Sequence, residues 1–238
     1  MGSSQVLSHE DRKWPTSEVL SFLVERCSRI RHDNISAMTI SIHQVRENAE
    51  KLRVLNARIN ETVKLRSASR QGWEAWNAAC KAFHEQFGAL SFPGGDSGWQ
   101  AFLSKQNDGI ELALLFLEAD EITFRSGYHK QIVWDRLKRL PLSADQSARL
   151  EEVAIAYLHK RVRREFWHMA RFMRLYATAS FWQRVVACAA GSELATARKA
   201  RWLLLVRDGF PVRRWIEREI IRQKYGTDYV ARLDFGQP

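Results

Sequence analysis

From Ile35 onward, apolar residues return every three or four positions: Ile35, Met38, Ile42, Val45, Ala49, Leu52, Ile59 and Val63, with Asn56 in the same stripe. Steps alternating between three and four make a heptad seam. The pattern predicts one helix over 34–66, on the order of 45 Å long at about 1.5 Å per residue. A seam asparagine fixes the register of two packed helices at some cost in stability. The flanking Arg46, Asn48, Arg53 and Thr62 lack the opposite charges that would pair two chains, so the pattern favours a hairpin within one chain over a dimeric coiled coil. Its second arm is 70–88, where Trp73, Trp76, Cys80, Phe83 and Phe87 keep the rhythm up to Gly88. Aromatics at this spacing read as core. Upstream, a shorter helix is expected from Ser17, after Pro15, with Val19, Leu20, Leu23 and Val24 inward, loosening at His32 and Asp33.

The rhythm stops at residues 91–98, Ser-Phe-Pro-Gly-Gly-Asp-Ser-Gly, which predict a loop. We take it as the boundary between a hairpin region, 1–90, and a helical array, 99–226, followed by a tail, 227–238. Beyond it the periodicity predicts helices over 108–119, 127–140, 144–178, 181–190, 193–207 and 211–225. Pro141 stops one, Ser143 with Gln146 forms a capping box for the next, and Gly191, Gly209 and Gly226 stand where C-terminal caps belong. These glycines are 18 and 17 residues apart, so a helix pair would recur within the range of armadillo or HEAT repeats. Stacked antiparallel helices are expected, although no repeat consensus is visible and an irregular bundle is the alternative. No β-hairpin signal occurs. The fold class is all-α.

Charge changes this picture more than composition does. The chain has 238 residues, 45% hydrophobic and 27% charged, an ordinary balance for a folded domain. Its net charge of +10 is uneven: 14 Lys and Arg face 16 Asp and Glu up to residue 124, and 23 face 11 beyond it. A basic C-terminal half points to an anionic partner. Cys27, Cys80 and Cys188 form no metal-binding spacing and read as reduced thiols. No membrane span or secretory leader is recognisable, and the Met1–Val6 start matches a myristoylation signal poorly. The expectation is a cytoplasmic protein with no membrane partner.

Candidate chemistry is sparse. Gly95-Asp96-Ser97-Gly98 matches the tetrapeptide around a trypsin-like nucleophile, but that chemistry needs a β-barrel to bring a distant His and Asp to the Ser. Here the motif precedes a helix expected from Trp99, with Asp96 or Ser97 as its N-cap. His32-Asp33 is the doublet of metal-dependent phosphohydrolases of the HD class, and His9 with Asp108 or Asp120 could complete a ligand set. It sits in a polar stretch and reads as a solvated loop. Arg125-Ser126-Gly127-Tyr128 reads as a helix start capped by Ser126, with an anion site assisted by Arg125 as the lesser reading. No metal site and no cofactor are assigned.

The strongest functional signal lies in 144–178. On one continuous helix Leu158, Val162, Phe166, Met169, Met173 and Tyr176 share one arc, and Lys160, Arg164, Trp167, Arg171 and Arg174 share the opposite one. A tryptophan among cations suits a site that grips an acidic peptide or stacks on bases. Arg214, Arg218 and Arg222 form a second basic row on the last helix. These eight residues are the expected binding site. The expected function is non-enzymatic: a binding or adaptor protein that engages an acidic protein, with nucleic acid as the alternative ligand and phosphohydrolase activity third.

Overall fold

Serine hydroxyls start the first two helices. The computed structural model describes residues 40–226. The Ser41 hydroxyl accepts the Gln44 N–H at 3.2 Å ahead of α1, Ile42–Thr62, and Ser69 accepts the Gly72 N–H at 3.0 Å ahead of α2, Arg70–Leu90. Each oxygen satisfies an N–H that the helix itself leaves unpaired. The seam turns inward as its spacing predicts: Val45, Ala49 and Leu52 are buried, and Asn56, Ile59 and Val63 half-buried. Ile35, Met38 and the helix expected from Ser17 lie outside the described residues.

A short turn over 63–69 folds α2 back on α1, so the hairpin forms within one chain. Of its aromatics, Phe83 is buried and packs edge-on to Phe124 with 5.4 Å between ring centroids. Trp73 does not join the core. It is 51% exposed, and Trp76 lies beneath the Arg66 guanidinium, because this end of the hairpin extends past the helices packed on its other end.

Eight further helices follow: α3 (Gly95–Leu103), α4 (Asn107–Ala119), α5 (Ser126–Leu137), α6 (Ala144–Leu158), α7 (Phe166–Tyr176), α8 (Ala179–Ala190), α9 (Leu194–Arg207) and α10 (Arg213–Tyr225). No strand occurs among the described residues. Helix α3 begins earlier than the sequence suggests, at Gly95, with Gly94 as its cap in the left-handed region at φ 76° and no side-chain cap. The Gly-Asp-Ser-Gly tetrapeptide therefore forms the first turn of a helix. At the next corner a Cβ on Gly109 would come within 2.2 Å of the Phe102 nitrogen, so only glycine lets α4 approach α3 this closely.

Between α5 and α6 the capping box is complete: the Ser143 hydroxyl accepts from Gln146 N–H, and the Gln146 side chain accepts from Ser143 N–H. Thr178 caps α8, and the buried Glu151 on α6 accepts the Thr178 N–H at 2.6 Å.

The core is built around α7. Phe166, Met169, Ala170, Phe172 and Met173 are buried, and α5, α6, α9 and α10 all pack on this helix. In an armadillo- or HEAT-like stack each unit touches only its neighbours. The packing of α7 on four other helices does not by itself establish such a stack, and what the fold shows is the all-α class. Among the described residues no helix is long and apolar enough to cross a membrane.

Candidate functional site

The link between α4 and α5 is set by two residues in the left-handed region, Asp120 at φ 47° and Arg125 at φ 61°. Asp120 caps the C-terminus of α4 and turns its carboxylate inward, leaving 3% of the side chain exposed. Four groups converge on it. Lys130 of α5, itself 1% exposed, donates to Oδ1 and also to the Glu121 carbonyl at 3.0 Å. Lys160 donates to Oδ2 at 2.8 Å, Arg163 to Oδ1 at 3.2 Å, and the Tyr157 hydroxyl lies 2.9 Å from Oδ1. Burial alone would raise the Asp120 carboxyl, but Lys130, Lys160 and Arg163 hold it below the usual carboxylate range. Burial, together with the neighbouring carboxylates, pushes Tyr157 well above the ordinary tyrosine value, so it stays a hydroxyl.

The same hydroxyl lies 2.9 Å from Glu165 Oε1. With one proton it donates to one of its two carboxylate neighbours. Glu165 Oε2 has no hydrogen-bond partner and faces Gly127, where an added Cβ would sit 3.2 Å from it. Gly127 lies in the first turn of α5, so the carboxylate occupies the end of the helix dipole that favours an anion. The Arg125-Ser126-Gly127 turn is thus served by an internal acid. Ser126 is the first helical residue and not the cap, its hydroxyl bonding both N–H and C=O of Thr123 at 3.0 Å.

This hub explains the main departure from the sequence pattern. The helix expected over 144–178 is broken: α6 ends at Leu158 and α7 begins at Phe166. No Gly or Pro stands between them. The break is held by tertiary hydrogen bonds to the freed carbonyls. Thr196 of α9 donates to the Leu158 carbonyl at 3.0 Å, and the buried Lys199 ammonium donates to the Lys160 carbonyl. Arg161 donates to the Gln223 carbonyl of α10 at 2.8 Å, Val162 is buried at 5%, and Lys160 and Arg163 reach back to Asp120.

The expected basic arc is redistributed accordingly. Lys160 lies off the helix and joins the hub. Arg164, also in the turn, is exposed and sits 4.2 Å over the Tyr128 ring. Trp167, Arg171 and Arg174 stay together at i, i+4 and i+7 on α7, with both arginines exposed and Trp167 half-buried against the core. On α10 the basic row turns partly inward: Arg222 is held at 2.6 Å by Glu219, which is 6% exposed and also accepts from Arg198 at 3.0 Å. Arg218 is half-buried and Arg214 exposed. The eight residues therefore occupy three places.

A surface absent from the sequence reading lies where α5 and α7 run side by side. Arg164 meets Tyr128, His168 Nδ1 lies 2.7 Å from Asp135 Oδ2, Phe172 packs on Trp134 and the Tyr176 hydroxyl donates to the Lys138 carbonyl. From the first of these pairs to the last the residue numbers rise on both helices, so the two helices are parallel. Their outer side carries Tyr128 and Ile132 on α5 and Arg164, Arg171 and Leu175 along α7, with Phe124 and Arg125 at one end. Tyr128, Ile132 and Leu175 are 49%, 40% and 63% exposed. Asp135 on this face is paired: burial would raise it, but the neighbouring His168 imidazole and the Lys138 ammonium, which donates to its Oδ1, bring it below the usual range. The sequence did hold a signal, since Tyr128 and Ile132 are out of phase with the core residues Val133, Trp134 and Leu137.

The phosphohydrolase ligands His9, His32 and Asp33 lie outside the described residues. Asp108 is in the first turn of α4, and Asp120 is enclosed by cations. Among the described residues no group of three or more His, Cys, Asp or Glu is arranged to hold a metal ion. No protein-family model, curated protein or solved structure matches the chain.

Proposed function

We propose that this chain is a non-enzymatic binding or adaptor protein that engages an acidic protein through the face formed by α5, α7 and the turn between α6 and α7. The observation that carries the reading is the mixture on that face. Exposed Arg125, Arg164 and Arg171 alternate with exposed Phe124, Tyr128, Ile132 and Leu175, and the local carboxylate is already paired. Arginine and tyrosine around an apolar centre are the composition of protein-binding hot spots. A phosphate backbone would leave Ile132 and Leu175 without a complement. A cytoplasmic setting belongs to the same proposal and agrees with the free thiols of Cys80 and Cys188.

The test is affinity capture from the native source with the full chain and with Arg164→Glu/Arg171→Glu, each with and without nuclease. We expect the wild type to retain a partner that survives nuclease and the double variant to lose it, because each reversal turns an attraction into a repulsion. Both arginines are exposed, so the melting temperature stays within a few degrees, in line with the ~1 kcal/mol or less of surface charges. Loss of all bound material on nuclease treatment, with a steep salt dependence, would replace the reading with nucleic-acid binding.

A further inference from the structure

We infer that the occupant of this face is an amphipathic acidic helix lying along the groove between α5 and α7, an inference that rests on the reading of the face as a protein-binding surface. The groove is formed by two parallel helices joined across their outer sides by Arg164 on Tyr128 and by His168 on Asp135. From Tyr128 to Leu137 it is about 14 Å long at ~1.5 Å per residue, the span of roughly two and a half helical turns.

The chemistry along it comes in rows. On α5 the apolar side chains Tyr128 and Ile132 are one helical turn apart. Along the α7 side Arg164 stands in the turn before the helix, and Arg171 and Leu175 are one turn apart on it. A helix laid in such a groove presents apolar anchors at i, i+3, i+4 and i+7, with carboxylates beside them that meet the arginines. An extended peptide has no comparable anchor, because the backbones of α5 and α7 are bonded within their own helices and no sheet edge exists among the described residues.

Charge and coverage exclude the other occupants. A second copy of this chain placed by two-fold symmetry would set Arg125, Arg164 and Arg171 against the same cations, a repulsive match. A nucleic acid would satisfy Arg164 and Arg171 through its phosphates but leave the exposed Ile132 and Leu175 without an apolar complement.

The test uses two synthetic peptides of equal length and composition, both rich in Glu and Leu. One is ordered so that Leu forms a single helical stripe, and the other is scrambled to destroy the stripe at the same net charge. Fluorescence anisotropy against the full chain measures affinity, and circular dichroism of the mixture measures helix gained on binding. We expect the amphipathic peptide to bind about tenfold or more tightly than the scrambled one, a difference of ~1.4 kcal/mol or more, and to gain helix. Ile132→Ser and Leu175→Ser, at exposed positions, should remove most of that difference without changing the melting temperature. Equal binding of the two peptides overturns the helix inference while leaving the acidic-partner reading intact. If neither acidic peptide binds, both fall. A single-stranded oligonucleotide that displaces the amphipathic peptide at equal concentration also overturns it.

Discussion

Asp120 is worth more as a charge than as a shape. An Asp120→Asn variant keeps the size and the tolerance for φ 47°, but leaves the buried Lys130 without its counter-charge. We expect a loss of about 3–5 kcal/mol, the cost of breaking a buried pair from one side, read from urea unfolding. Tyr157→Phe removes one hydroxyl and should cost about 1–3 kcal/mol. His129 on α5 acts through pH. It lies between Trp99 and Phe87, at 5.2 and 6.0 Å between ring centroids, and its Nδ1 is buried without a partner. Burial, aided by the charge of Arg125, pulls its pKa from 6.5 to about 4. With the folded value below the unfolded one, its contribution is complete above about pH 6.5 and is lost as the pH falls toward 4, because the unfolded chain takes up the proton first. The shift corresponds to roughly 3 kcal/mol. Urea midpoints across this window should fall for the wild type and much less for His129→Phe. None of these roles was legible locally. Asp120 stood out only as a possible metal ligand, because the groups that define it, Lys130, Tyr157, Lys160 and Arg163, are 10 to 43 residues away in sequence.

The helices themselves were mostly legible, because their signals are local. The three-four spacing from Ile42 to Phe87 and the Ser143–Gln146 capping box describe events within a few residues, and both appear in the fold. The break between α6 and α7 does not, because what stabilises it comes from α9. Thr196 and Lys199 take the carbonyls of Leu158 and Lys160, and a continuous helix would bond those carbonyls internally. Thr196→Val and Lys199→Met keep shape and remove the donors. Each should cost about 1–3 kcal/mol by leaving a carbonyl unpaired, measured by thermal or urea unfolding. An unchanged melting temperature in both would show that the turn is held by the Asp120 hub alone. Splitting the helix also explains why the expected basic arc is not one continuous helix face: Trp167, Arg171 and Arg174 keep their spacing on α7, whereas Lys160 and Arg164 leave the helix and point to different neighbours.

At the scale of the molecule, the polarity of charge along the chain is partly consumed by folding. Helix α4 and its cap contribute Glu111, Glu118 and Asp120 from the acidic half. They bind Arg149, Lys130, Lys160 and Arg163 from the basic half. Glu219 does the same for Arg198 and Arg222. The positive surplus available to a partner is therefore smaller than the sequence total, and its exposed part is divided between Arg125, Arg164, Arg171 and Arg174 beside α5 and α7 and Arg201, Arg213, Arg214 and Lys224 on α9 and α10. The turn before α7 has a kinetic consequence. Residues 144–176 contain no helix stop between Leu158 and Phe166, and helix growth needs only local contacts, whereas the bonds that bend this segment wait for Thr196 and Lys199, 38 and 39 residues downstream of their acceptors. Local contacts form before distant ones. We expect the segment to begin folding as one long rod and to bend when α9 docks, read as late protection of the amides of 159–165 in pulse-labelled hydrogen exchange, so that a half-folded chain offers its partner no assembled surface.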